Sequence, residues 1–221
     1  MGKLKYLGTY ISPLLAIFSF NMTGIFAYTG VFALYIFVPI LENFIPKDSY
    51  NFNKTEKKQA KSDRFYDYIL YLMVPLHLIV IYQFLISVSN PSIATSDLIA
   101  YVLMMGTILG VNGINGGHEL GHKTNEPFKV FMAHVLLTSS MQNHFMTYHN
   151  SGHHRDVATP NDLPSAKKGD VFYLFAIRSQ IGGYFKTWRL EAEKLKAQQK
   201  KQICQNSCCS PPFRMGLLDF M

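Results

Sequence analysis

Residues 116–125, GGHELGHKTN, place two histidines and a glutamate within five residues. If this stretch is helical, His118 and His122 lie on one face, because they are four residues apart, and both imidazoles can reach one metal ion. The pattern H-E-x-x-H, completed here by Glu119, is typical of zinc proteases, in which the glutamate activates a zinc-bound water molecule. The stretch predicts a metal site, but the pattern alone leaves the metal and the reaction open.

A second cluster of histidines follows in YHNSGHHRD, residues 148–156. On an α-helix His149 and His153 would share a face, and His154 would lie about 100° further round. Neutral imidazole is a common ligand of zinc, iron and copper. Because catalytic zinc sites typically use three protein ligands, five histidines in two clusters fit a pair of metal ions, or an incomplete site, better than a single zinc.

The elements that must hold these residues are apolar helices. Hydrophobic residues make up 48% of the 221 residues and are concentrated in a few long runs. Residues 7–45 are almost uncharged and too long for one helix across a hydrocarbon core about 30 Å thick, so they predict two short spans joined near residues 21–24. Residues 66–88 and 98–115 predict a third and a fourth span. We therefore expect an all-α integral membrane protein, a bundle of about four transmembrane helices.

Charge and polarity predict the orientation of these spans. Residues 47–64 include six Lys or Arg residues, and such clusters favour the cytoplasmic side of a membrane. Residues 128–147 contain many polar side chains, so we expect a shallow or re-entrant helix that returns to the same face. Both histidine clusters are then expected to face the cytoplasm. The basic charge does not indicate nucleic-acid binding, since no fold for it is visible.

Two classes of enzyme compete for the histidines. An intramembrane zinc protease would use His118 and His122, but it needs a carboxylate ligand from a distant helix, for which Asp219 is the nearest match, and it leaves the second cluster unexplained. A membrane oxygenase with two iron ions uses both clusters and supplies the redox chemistry that zinc lacks. Its apolar helices would form a slot for a lipid-like substrate. His77 and His134 are expected to be ordinary buried or surface histidines.

The sequence around both clusters resembles the membrane-bound alkane hydroxylases (alkane 1-monooxygenases), which are related to the membrane fatty-acid desaturases and hydroxylases. NGGHELGHK is similar to the first box of that family, H-E-L-x-H-K. HFMTYHNSGHHRDVATPNDLPSAKKGDVFYLF is similar to the second, in which E-H-N-x-G-H-H precedes V-A-T-P-x-D-P-A-S-A-R. RSQIGGYFKTWRLEAEKL continues the similarity, which covers about residues 8–197.

Residue by residue, the resemblance implies five metal ligands: His118, His122, His149, His153 and His154. The candidate supporting residues around these ligands are Glu119, His144, Asn150 and Asp162. The implied cofactors are two non-haem iron ions, with O2 as co-substrate, and the implied reaction is terminal hydroxylation of medium-chain alkanes. The implied partners are rubredoxin as electron donor, an alkane or lipid-like substrate and membrane lipids. The implied location is the bacterial inner membrane, as a multi-pass protein.

Two departures from the family pattern qualify this resemblance. Tyr148 stands where the family commonly has Glu. The chain has no histidine after His154, whereas the family carries a third box, H-S-D-H-H, an N-Y-x-E-H-Y-G segment and two further membrane spans.

The end of the chain also departs from the family. Residues 202–221 no longer resemble it and include all three cysteines. We expect residues 1–201 to be the N-terminal part of a membrane hydroxylase domain and residues 202–221 to be an aberrant or divergent tail, left by truncation or a frameshift. The chain alone is then expected to be an incomplete, inactive fragment. The alternatives are a fatty-acid desaturase or hydroxylase of the same superfamily, an intramembrane zinc protease, and a non-catalytic membrane fragment.

Overall fold

The structure is a computed structural model, which describes residues 3–45, 51, 53–56, 59 and 63–197. The chain divides into two compact units, residues 1–116 and 117–221. The predicted tail, 202–221, and much of the basic segment 47–64 lie outside the described residues. The predicted boundary near residue 201 therefore stays a prediction.

The first unit is helical throughout most of its described length. Two 3-10 segments, Lys3–Tyr10 and Gly24–Tyr28, each lead into an α-helix, and two π-helical segments, Ala33–Phe37 and Leu109–Ile114, continue helices towards their C-terminal ends. The α-helices include α1, Ile11–Phe20; α2, Thr29–Phe32; α3, Val38–Glu42; α4, Arg64–Val88; and α5, Thr95–Ile108.

Three helices among the described residues are long and apolar enough to cross a membrane, judged by length and composition: Gly24–Glu42, Arg64–Val88 and Thr95–Gly121. They correspond to the second, third and fourth predicted spans, and they confirm the all-α membrane class. The first predicted span is not among them. Its α-helical part, α1, has ten residues, about 15 Å of helix, and the preceding 3-10 segment carries two lysines.

The predicted turn near residues 21–24 lies between α1 and the helix that begins at Gly24. Gly24 has a φ of +60°, a left-handed conformation that glycine adopts without steric cost. Its N–H donates to the Asp97 carboxylate at the start of α5, over 2.9 Å. The turn is thereby fixed to the first turn of a neighbouring helix.

The core of the first unit lies between α1, α4 and α5. Ala16, Phe20, Met104 and Ile108 are almost fully buried there. Many apolar side chains point outward instead; Phe37, for example, is 57% exposed. Lipid tails are as apolar as such side chains, so an apolar outer surface suits a membrane protein.

The second unit carries both histidine clusters. Its described α-helices are α6, Asn115–Gly121; α7, Pro127–Ser139; α8, Phe145–Tyr148; α9, His154–Asp156; and α10, Phe172–Ala197. A π-helical segment, His149–His153, joins α8 to α9. The 13 residues of α7 extend about 20 Å, which is too short for a hydrocarbon core of about 30 Å. The return of residues 128–147 to the same membrane face stays a prediction.

The close approach of α6 to α7 depends on Gly117, next to the first histidine. A Cβ atom at this position would lie 2.7 Å from Cγ of Leu137 and 3.3 Å from the carbonyl oxygen of Ala133. Leu137 is fully buried, so it has little room to move. We infer that any side chain at residue 117 pushes the two helices apart.

Gly117→Ala is expected to destabilise the protein by about 1–3 kcal/mol, the usual cost of overpacking a core. Gly106→Ala is the matched control, because a Cβ there meets nothing within 4 Å, and replacing a mid-helix glycine by alanine stabilises by up to about 1 kcal/mol. Thermal unfolding in detergent, followed by circular dichroism, measures both. Equal unfolding midpoints for the two variants would contradict the close approach.

Candidate metal centre

The first histidine pair lies at the C-terminal end of α6. His118 is within the helix, and the backbone N–H of His122 donates to the carbonyl oxygen of His118 over 3.2 Å, so one further helical turn separates them. Their Nε2 atoms are 2.6 Å apart. The four-residue spacing therefore does place both imidazoles on one face, as predicted.

His149 and His153 of the second cluster lie on a π-helical segment rather than on the α-helix that the sequence predicts, and His154 begins α9 directly after it. The N–H of His154 donates to the carbonyl oxygen of His149, five residues earlier. This bond brings residues five apart together, and the ring centroids of His149 and His154 are 4.5 Å apart, closer than the 5.2 Å between His149 and His153. Single π-helical turns occur frequently at functional sites.

The two clusters meet through their Nε2 atoms. Nε2 of His118 lies 2.9 Å from Nε2 of His149, and the same atom also contacts Nε2 of His122. Among the described residues, these three histidines form a group whose ligand atoms all lie within 4.8 Å of one another. Since one imidazole N–H can satisfy only one such contact, three converging nitrogens fit a shared metal ion better than a chain of hydrogen bonds.

The other two predicted ligands adjoin this group. The ring of His154 is 5.1 Å from that of His122, and the ring of His153 is stacked on that of His149, with an interplanar angle of 29°. All five predicted histidines thus lie in one cluster of rings. The ring nitrogens of His118, His122 and His149 converge, and the rings of His153 and His154 pack against this group.

Burial and the neighbouring imidazoles favour the neutral form of His149. The pKa of His149 is lowered to about 4, chiefly by burial and further by the neighbouring imidazoles. A histidine must be neutral to bind a metal ion. At neutral pH this side chain therefore offers a free lone pair without having to lose a proton.

The predicted supporting residues differ in their contacts. Glu119 is exposed, and its carboxylate lies 3.6 Å from Nδ1 of His118. Asn150 donates to the carbonyl oxygen of Gly121 over 3.2 Å, which ties the second cluster to the end of α6. His144 packs edge-on against Tyr184, with centroids 5.4 Å apart.

Asp162 is the supporting residue with the most direct contact. Its buried carboxylate lies 2.9 Å from Nδ1 of His153 and 2.6 Å from the Ser165 hydroxyl. Burial alone would raise the pKa of Asp162, but hydrogen bonds from Ser165, His153 and Tyr148 outweigh it and lower the pKa. Tyr148 was singled out in the sequence only as a departure from the family pattern beside His149, and its contact with Asp162, like that of Ser165, was not predicted.

Tyr148 is buried beneath the segment that carries Asp162. Its hydroxyl lies 3.3 Å from the Asp162 carboxylate and accepts from the N–H of Leu163 over 3.2 Å. Burial is the main cause that raises the pKa of Tyr148 to about 12. A Cβ on Gly152 would lie 2.8 Å from the tyrosine ring, so the glycine allows the ring to pack against the π-helical segment.

The geometry bears on the zinc-protease alternative. The third nitrogen beside the HELGH pair belongs to His149, where such a protease needs a carboxylate. The predicted carboxylate, Asp219, lies outside the described residues. The arrangement is better explained by a site built from both clusters.

These features define an all-α membrane protein with a histidine cluster suited to metal binding. Alkane 1-monooxygenase 1 of Alcanivorax borkumensis is 32% identical over 186 residues, 83% of this chain and 46% of the relative. Alkane 1-monooxygenases of Pseudomonas putida and Ectopseudomonas oleovorans are each 33% identical, over 88% and 83% of this chain and 50% and 46% of the relatives. No protein-family model matches the chain.

The chain spans about half the length of the curated relatives it matches. Over more than four fifths of its own length the chain is similar to these alkane 1-monooxygenases. The resemblance noted in the two histidine boxes is thus confirmed across most of the chain.

His149→Ala is expected to remove most of the iron bound after anaerobic loading, because it deletes the nitrogen through which the two clusters meet. His134→Gln is the control, since His134 is buried within α7 rather than in the ring cluster. Metal analysis after exhaustive buffer exchange measures both. Retention of one full equivalent of zinc by the His149→Ala variant would instead favour a protease-like site held by His118 and His122.

Proposed function

We propose that this protein acts as a membrane alkane 1-monooxygenase, which hydroxylates the terminal carbon of medium-chain alkanes with O2 at a centre of two non-haem iron ions. The observation that carries the proposal is the convergence of Nε2 atoms from His118, His122 and His149, residues of two separate histidine boxes. The similarity to alkane 1-monooxygenases supplies the reaction class.

The imidazole nitrogens of the histidine cluster suit a redox-active metal ion. Imidazole nitrogen is a good ligand for iron, and His149 is held neutral by burial. Iron, when bound, would supply the electron transfer to O2 that oxidation of an unactivated C–H bond requires and that zinc cannot provide. His153 and His154, beside the central group, are the residues we propose as further ligands.

The reaction requires two electrons and two protons from outside: RH + O2 + 2e⁻ + 2H⁺ gives ROH + H2O. We propose rubredoxin, a one-electron carrier, as the donor, as the family resemblance implies. The substrate has no polar group, so its binding would depend on apolar contacts worth about 0.8 kcal/mol for each buried CH2.

We propose that the protein lies in the bacterial inner membrane with both histidine clusters facing the cytoplasm. The basic residues near the clusters support this orientation, since short cytoplasmic segments carry an excess of Lys and Arg: Lys123, Arg155, Lys167 and Lys168. The turn after α4, residues 89–94, contains no Lys or Arg, as is typical of a segment on the outer side of the membrane.

Single cysteines at Thr124 and Ser151 are expected to resist a membrane-impermeant maleimide in intact cells and to react after permeabilisation. The background is the chain with its three native cysteines replaced by serine. Ser92→Cys is the matched control, because this exposed position should react from outside. Labelling of Ser151→Cys from outside, with none at Ser92→Cys, would reverse the proposed orientation.

A chimera tests the reaction itself. Residues 8–197 of this chain would replace the aligned region of the Pseudomonas putida relative, and the hybrid would be expressed with rubredoxin and its reductase in a host without a hydroxylase. We expect 1-octanol from octane, because this segment would supply its share of the metal ligands.

The chimera with His149→Ala is the control and is expected to lose nearly all product, whereas the His134→Gln chimera should retain it. Formation of 1-octanol at an unchanged rate by the His149→Ala chimera would contradict the proposal. So would a folded, iron-loaded chimera that produces no 1-octanol.

A further inference from the structure

The Asp162 carboxylate contacts His153 through both of its oxygens. Nδ1 of the histidine lies 3.0 Å from one carboxylate oxygen and 2.9 Å from the other, so it faces the carboxylate symmetrically. The side chain of Asp162 is fully buried, and that of His153 is one quarter exposed. A buried carboxylate requires donors around it, and this histidine nitrogen lies within hydrogen-bond distance of both carboxylate oxygens.

Two hydroxyl groups occupy further positions around the carboxylate. The Ser165 hydroxyl donates to Oδ2 over 2.6 Å, and the Tyr148 hydroxyl lies 3.3 Å from Oδ1. An ionised carboxylate only accepts hydrogen bonds. Nδ1 must therefore carry its hydrogen, since a bare nitrogen lone pair in that position would face two oxygen lone pairs.

The carboxylate is held in place independently of the histidine. The N–H of Leu163 donates to the Tyr148 hydroxyl, and the Lys186 ammonium on α10 donates to the carbonyl oxygen of Asn161 over 2.6 Å. Lys186 also pairs with Asp156 over 2.8 Å. The segment on both sides of Asp162 is thus attached to α8 and α10, so the carboxylate constrains the ring rather than following it.

We infer that Asp162 is a positioning residue, which fixes His153 as the Nδ1–H tautomer, orients its ring and reserves Nε2 for a metal ion. The inference rests on the proposed role of His153 as a metal ligand. It adds that Asp162 orients this histidine for that role. A metal-binding histidine usually donates its other N–H to an oxygen acceptor, which also makes the ligating nitrogen more basic. Here the acceptor is the Asp162 carboxylate, which the hydroxyl groups of Tyr148 and Ser165 hold in place.

The first test measures cobalt(II) binding to the purified full chain in detergent, in competition with a chelator. Asp162→Asn is expected to weaken the affected cobalt site by about 10- to 100-fold, the usual effect of losing such an outer partner. Asp170→Asn is the matched control: it also removes a paired carboxylate, bound to Arg178 over 2.6 Å, but its hydrogen-bond partners among the described residues, Lys167 and Arg178, include no histidine. Its cobalt affinity should stay unchanged.

A double-mutant cycle separates positioning from a purely structural role. If Asp162 acts through His153, the Asp162→Asn change should have no further effect on cobalt affinity in a His153→Ala background. Equal weakening in both backgrounds would mean that Asp162 merely stabilises the fold, and the inference would fall. Unfolding midpoints of all variants, measured without metal, report on folding separately.

The second test needs no variant. Nitrogen-15 NMR of the metal-free protein, labelled at histidine, is expected to show His153 with its proton on Nδ1, and a proton on Nε2 instead would overturn the inference. The outcomes also separate the two proposals. Normal cobalt affinity in Asp162→Asn together with weak affinity in His153→Ala refutes only the role of Asp162, whereas normal affinity in His153→Ala refutes the ligand role itself.

Discussion

The approach of three imidazole nitrogens from two separate segments is the constraint on which the second unit depends. His118 contributes the shared atom: its Nε2 lies 2.6 Å from that of His122 and 2.9 Å from that of His149. Imidazoles packed this closely would repel one another if protonated, and the low pKa of His149 reflects burial first and that repulsion second. A bound cation would replace the repulsion by coordination.

Small residues and a local change of helix type make this approach sterically feasible. Gly117 lets α6 pack on α7 immediately before the first histidine, and Gly152 lets the Tyr148 ring lie against the second cluster. The π-helical turn brings His154 towards His149. Asn150 then links the turn to the end of α6. Each contact acts within the second unit and serves the geometry of the same histidines.

The sequence predicted the parts of the structure that depend on local spacing or on long apolar runs. The helix class, three of four spans and the shared face of His118 and His122 follow from patterns visible in a single sequence. The first span was not found because α1 is short. The π-helical turn was missed because its sequence, HNSGH, is equally compatible with an α-helix.

The candidate site was predicted less completely than the helices. The five histidines were identified by type and spacing, and their clustering agrees with that choice, but their role as ligands stays a prediction. Asp162 was named as a candidate supporting residue at the sequence level. Its partners Ser165 and Tyr148 could not be predicted, since they converge only after the segment between α9 and α10 folds back over α8.

X-ray absorption at the iron K-edge of the anaerobically loaded protein tests the central claim most directly, namely that histidines of both boxes hold the metal. The account predicts a first shell of nitrogen or oxygen atoms, with the outer-shell scattering that imidazole rings produce, and a loss of part of that scattering in a His149→Ala variant loaded in the same way. A first shell that contains sulfur, or a spectrum that shows no imidazole scattering, would contradict the account.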